Sequence, residues 1–246
     1  MATESSPCRG AGRTVGRPVP RGLRKSPLHN TILILAAASL LLVSAGCAAL
    51  RSNSVEPGAL SFQGPQAYTL KPGDSLPGTD IRFIGQSQDG AEFTIAGQRA
   101  VKQKADSLNW SGSPAEGVKL DLRLRIVWYT ESALYAAGTA SLVVSDVSVQ
   151  AGQIPENGPL AYQMPVVYTL PLNEAVSGTG LRYEGKSSEG ARFAGVEGYP
   201  YRQTGDSLRW EGYLRPNVAV RQDLRLLQYD ERSARVGGMA HLWITP

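Results

Sequence analysis

Shifted by 100 residues, the chain lands on itself, and that self-similarity limits its fold more than any single motif. PGALSFQGP at 57–65 meets NGPLAYQMP at 157–165, and AYTL at 67–70 meets VYTL at 167–170. GTDIRFIGQSQDGAEF at 78–93 meets GTGLRYEGKSSEGARF at 178–193, and DSLNWSG at 106–112 meets DSLRWEG at 206–212. The text DLRL at 121–124 recurs at 223–226, which implies a two-residue insertion in the second copy. A compensating deletion then returns the offset to 100 at Gly138-Thr139-Ala140 and Gly238-Met239-Ala240. The reading is a tandem duplication, copy 1 at 57–146 and copy 2 at 157–246, with a linker at 147–156, where the turn-rich stretch VQAGQIPENG (149–158) begins.

Each copy reads as strands. Ile81 and Phe83 share one face with Arg82 on the other, and Leu181, Tyr183 and Arg182 repeat the arrangement. Leu122, Leu124 and Ile126 alternate with Asp121, Arg123 and Arg125, the period of two that a half-buried strand requires. Asp89-Gly90 and Glu189-Gly190 fall between alternating runs, where a tight hairpin turn belongs. Further hairpins are expected near Thr130-Glu131 and Asp230-Glu231. No segment keeps a helical period over three turns. The expected fold is all-β: two tandem homologous β-sandwich or β-barrel modules, each with six or seven short strands. A unit of about 90 residues without disulfides buries only a modest core, which leaves two beads and one joined body both open.

Charge divides the chain unevenly. Residues 1–46 hold six basic residues and one acidic residue, leaving 19 basic against 20 acidic residues in the remainder. The basic balance therefore belongs to the N-terminal segment, and nucleic acid is not an expected partner of the β-modules. Both cysteines, Cys8 and Cys47, also precede the repeats, so the modules have no thiol for a disulfide, a metal or a nucleophile.

Residues 31–46, TILILAAASLLLVSAG, form an uncharged run behind an Arg/Lys-rich stretch, the pattern of an export signal. Small residues Ala45 and Gly46 then precede Cys47. This resembles a bacterial lipoprotein signal, and the resemblance implies that Cys47 becomes the lipid-modified N-terminus. An uncleaved membrane anchor and an ordinary cleaved signal are the other two readings. On the first reading 1–46 is the signal, 47–56 a tether, and the protein sits on the extracytoplasmic face of a membrane, held through the lipid on Cys47.

GDSL stands at 73–76 and again at 205–208, and resembles the head of the signature of a family of serine esterases. In that family the serine leads into a helix and a late Asp-x-x-His supplies the base. Here Ser207 leads into a strand pattern, and three residues before His241 stands Gly238. A serine hydroxyl without an adjacent base is a poor nucleophile. The two GDSL matches are also not equivalent in the repeat, since 73–76 aligns with 173–176 and 205–208 with 105–108. Asp-Ser-Leu-x-Trp is instead expected as a turn entering a strand. No catalytic residue, metal or cofactor is expected.

Two sets of residues remain as candidate sites. Charged positions that recur in both copies are Arg82 and Arg182, Asp106 and Asp206, Asp121 and Asp223, Arg123 and Arg225, read as structural ion pairs and turn formers. Copy 2 adds Tyr199, Tyr201 and Tyr213; the first two alternate and so share a face, suited to stacking on a sugar, anchoring a partner or packing between copies. The expected function is a membrane-anchored, non-catalytic binding module for a cell-wall glycan or an envelope protein. The alternatives are a structural spacer of an envelope complex and, third, an envelope hydrolase with dispersed carboxylates.

Overall fold

β-Branched, leucine and aromatic residues at alternate positions become strands throughout residues 58–246, which the computed structural model describes apart from Glu156. The segments expected as a signal (1–46) and a tether (47–56), Cys47 included, lie outside the described residues. In the first half the strands are β1 (Leu60–Leu70), β2 (Ile81–Ser87), β3 (Gly90–Ile95), β4 (Gln98–Lys102), β5 (Ser107–Ala115), β6 (Val118–Tyr129) and β7 (Leu134–Val144). A short β8 (Gln150–Ala151) follows. The second half holds β9 (Leu160–Pro171), β10 (Arg182–Ser187), β11 (Gly190–Ala194), β12 (Tyr201–Arg202), β13 (Ser207–Arg215), β14 (Val218–Tyr229) and β15 (Ser233–Ile244). The protein is all-β.

Four antiparallel sheets result: β1-β7-β6-β5 and β2-β3-β4 in the first half, β8-β13-β14-β15-β9 and β10-β11-β12 in the second. β6 illustrates why. Val118, Leu120, Leu122, Leu124 and Ile126 are buried on one face while Lys119, Arg123 and Arg125 stay in water. Each such buried aliphatic side chain contributes roughly 1.5–3 kcal/mol of transfer free energy. The small sheets close over the same core through Phe83 against Phe93, ring centroids 5.6 Å apart, and Tyr183 against Phe193, 5.4 Å apart.

The ladders correct one alignment drawn from the text. Leu108 faces Leu124 and Leu208 faces Leu224, while the β5–β6 and β13–β14 turns close at Ala115↔Val118 and Arg215↔Val218. Both hairpins thus have the same loop length, and there is no place for a two-residue insertion. Asp223 holds the ladder position of Arg123, and Arg225 that of Arg125; the matching DLRL text is a coincidence of letters. At the same ladder positions each half holds an ion pair, with the charges exchanged: Arg123–Asp121 at 3.0 Å in one half, Arg221–Asp223 at 3.1 Å in the other.

The segment read as a linker is also part of a sheet. Gln150 and Ala151 pair with Tyr213 and Gly212 on the edge of β13. Composition marks such a stretch as turn-rich, but its backbone N–H and C=O groups can still extend a ladder. The halves touch along β1 and β9, which carry Pro65 and Pro165 where a missing N–H is tolerated, at a sheet edge. Gln66 Nε2 donates to the Gln163 carbonyl at 2.9 Å, and the Tyr162 hydroxyl to the Pro77 carbonyl at 3.2 Å. Residues 58–246 accordingly belong to one compact unit.

Candidate functional site

Because β8 lies along β13, a cleft of about 670 Å3 opens between the linker and the small sheet of the second half. Ala151, Gly152 and Gln153 form one wall, Gly195, Val196 and Glu197 the opposite one, and β12–β13 residues Arg202, Ser207, Arg209, Trp210 and Glu211 the base. Gly195 has φ +76° and an added Cβ would lie 2.2 Å from the Gly180 carbonyl, so the wall can run this close only with glycine there.

Arg202 fixes the cleft rather than offering it a free charge. Its Nε donates to the Ser207 carbonyl at 3.1 Å, Nη1 to the Tyr201 carbonyl at 3.0 Å and to the Tyr199 carbonyl, and Nη2 to the Glu197 carbonyl at 3.4 Å. One guanidinium thereby ties the 197–201 loop to the start of β13. Arg209 pairs with Glu211 at 3.3 Å and Asp223 at 3.8 Å, giving the floor alternating donors and acceptors. Such a lining suits a neutral polar ligand better than a strongly charged one.

Tyr199 and Tyr201 stand together at the end of this loop, ring centroids 5.3 Å apart and inclined at 54°. Tyr199 is 60% exposed. Desolvation, helped by the Glu189 carboxylate, raises its phenol above the ordinary range, so it remains a neutral donor in water. Tyr213 does not join them. Its ring lies beside Gly152 and its hydroxyl donates to the Gln153 carbonyl at 3.1 Å, clamping the linker on β13. Tyr213 therefore stands apart from the Tyr199/Tyr201 pair.

The repeated charges sit in turns and on outer sheet faces. Asp106 and Asp206 each accept the backbone N–H three residues earlier, from Gln103 and Gln203, at 2.7 Å. This is the turn-to-strand role expected of Asp-Ser-Leu. Arg82 Nε donates to the Gly73 carbonyl at 2.8 Å, whereas Arg182 pairs with Glu184 at 3.2 Å. Arg225 donates to the Gly205 carbonyl at 2.9 Å, and its true counterpart Arg125 to the Ala105 carbonyl at the same distance. Asp121 and Arg123 pair with each other.

Sequence reading missed a cluster on the outer face of the second large sheet. His241 faces Arg221 across the ladder, lies 3.5 Å from Asp223, and stacks on Trp243 with centroids 6.0 Å apart. Arg221 also lies over the Trp243 ring at 5.3 Å. The cluster reaches the cleft through Arg209, which shares Asp223. Only the cross-strand register brings these residues together; along the chain they are separate alternating positions. No family model, curated protein or solved structure compared with the chain matches it.

Proposed function

We propose that the protein is a membrane-anchored extracytoplasmic lipoprotein, tethered through Cys47, whose halves arose by duplication and whose second half binds cell-wall glycan without chemical turnover. The observation that carries this reading is the exposed Tyr199/Tyr201 pair, on the loop whose carbonyls are held by Arg202, a lining residue of the 670 Å3 cleft. Aromatic faces stack on the apolar face of a sugar ring, and interleaved guanidinium, carboxylate and amide groups suit its hydroxyls. The test is co-sedimentation of the protein with isolated cell-wall material. Saturable binding is expected, and Tyr199→Ala/Tyr201→Ala is expected to abolish most of it. Equal binding by the variant would remove the site from this loop.

A second reading, a rigid spacer within an envelope complex, draws on a different observation. Arg215 and Asn217 of the second half bond Ser145 and Glu116 of the first, which makes the two halves one stiff body. No sedimentation by the unaltered protein would favour the spacer.

A further inference from the structure

The edges of β5 and β13 hold the same place in their sheets but differ in what covers them. In the second half the chain's own segment runs along β13: the Ser148 N–H donates to the Leu214 carbonyl at 2.9 Å, Ala151 pairs with Gly212, and the Gly152 N–H reaches the Glu211 carbonyl at 3.4 Å. Among the described residues nothing pairs with β5, which ends the order β1-β7-β6-β5. Trp210, Gly212 and Leu214 are buried, while Trp110, Gly112 and Pro114 are half-exposed; Glu211 and Tyr213 are half-buried, while Ser111 and Ser113 are exposed. Five consecutive positions thus lose cover together.

The uncovered strip is nonetheless shaped like the covered one. At Gly212 an added Cβ would fall 2.2 Å from the Gln150 carbonyl and 2.6 Å from the Trp210 ring, so glycine there admits both the ring and the arriving strand. Gly112 repeats the glycine and the ring contact, at 2.6 Å from Trp110, without the strand. Trp110 is locked in place by its Nε1 donating to Asp80 at 2.7 Å, so its ring lies over Gly112 and leaves the outer backbone edge open. Ser111 pairs with Asp121 as Glu211 pairs with Arg221. Its N–H and C=O therefore point outward, as the Glu211 carbonyl does. Pro114 keeps the carbonyl that Leu214 uses and lacks only an N–H.

We propose that the edge of β5 around Ser111 and Gly112 is a docking site for an extended polypeptide segment of a partner protein. The segment adds antiparallel to the sheet, with a small residue opposite Gly112, as Ala151 lies opposite Gly212. The chain's own 148–153 stretch supplies the pattern: backbone pairing provides attachment, and the Trp-x-Gly surface excludes large side chains at one point. Neither the glycan cleft nor its tyrosines take part, so this inference and the glycan reading can fail separately.

A fluorescein-labelled peptide with the sequence of residues 147–155, VSVQAGQIP, is the probe, titrated against the full-length protein in detergent. Saturable binding is expected, with slowed amide exchange at Ser111, whose N–H points outward. Ser111→Pro removes an outward N–H without touching the β5–β6 ladder, and should weaken binding at least about tenfold. Ser111→Lys, a milder way to blunt an edge, guards against a proline variant that misfolds and should act in the same direction. An exposed change away from both the β5 edge and the cleft, Lys186→Ala on β10, should leave binding within about twofold. Absence of saturable binding, or binding that ignores both Ser111 variants, overturns the proposal. So does self-association of the unaltered protein that Ser111→Lys abolishes, because a second copy would then be the occupant.

Discussion

His241 stands on β15 with Arg221 across the ladder, Asp223 at 3.5 Å, Trp243 stacked on one side and Gln163 of β9 on its other flank. Its side chain is only 17% exposed. Desolvation, followed by repulsion from Arg221, lowers its pKa, and Asp223 offsets only part of that. The folded chain therefore prefers the neutral ring. A depressed histidine leaves the unfolded state holding more protons, so its contribution is present above about pH 6.5 and declines as pH falls toward the folded value. The unaltered protein should lose stability between about pH 7.5 and about pH 5.5, and His241→Gln should flatten that slope. Urea midpoints at the two pH values measure it; an unchanged slope in the variant would mean that other groups carry the dependence. The residue was visible in the sequence as the single histidine of residues 57–246, but its partners were not. Asp223 and Arg221 belong to another strand, and the erroneous alignment at DLRL assigned Asp223 to the place of Asp121.

At the scale of strands, what was legible followed from local chemistry. Period-two burial marked β6, and the glycines after Asp89 and Glu189 marked hairpins that close at Ser87↔Gly90 and Ser187↔Gly190. Cross-strand register was less legible, because matching letters at an even offset keep every side chain on its proper face and betray nothing. Gly138 and Gly238 are better markers. At Gly238 a Cβ would lie 2.0 Å from the Asp223 carbonyl, and at Gly138 2.0 Å from that of Arg123, so glycine is required by the neighbouring strand at both places. Gly238→Ala should push β14 and β15 apart and cost about 1–3 kcal/mol, the usual penalty of overpacking. For a unit of this size that lowers the melting temperature by roughly 2–4 °C per kcal/mol. Gly152→Ala is the control, since its Cβ would meet only the Tyr213 ring, at 3.8 Å, and its change should stay within about 0.5 kcal/mol. Equal melting by the two variants would show that the strands relax freely around position 238.

For the whole molecule, the positions where the two halves differ carry more information than those where they match. Arg215 replaces Ala115, Asn217 replaces Gly117 and Tyr162 replaces Phe62, and each reaches the other half. Self-similarity predicts what the halves share, so it is silent about a seam made from their differences; two beads and one body looked alike for that reason. Arg215 is the central case, with its side chain 14% exposed and its guanidinium packed on Gly117, where an added Cβ would lie 2.4 Å from its Cζ. Nη1 donates to the Ser145 carbonyl at 3.0 Å, while the carboxylates of Glu116 and Asp146 are 91% and 87% exposed. Pairs with such exposed partners add little. The buried Nε has no partner among the described residues, which subtracts from the gain. Packing and the Ser145 bond are what remain, so Arg215→Ala should cost about 1–3 kcal/mol, read as a lower urea midpoint. High salt should leave that cost largely intact, because it screens the exposed ion pairs and not the buried bond. If salt erased the difference between variant and parent, the Glu116 and Asp146 carboxylates, and not the packed guanidinium, would be what joins the halves.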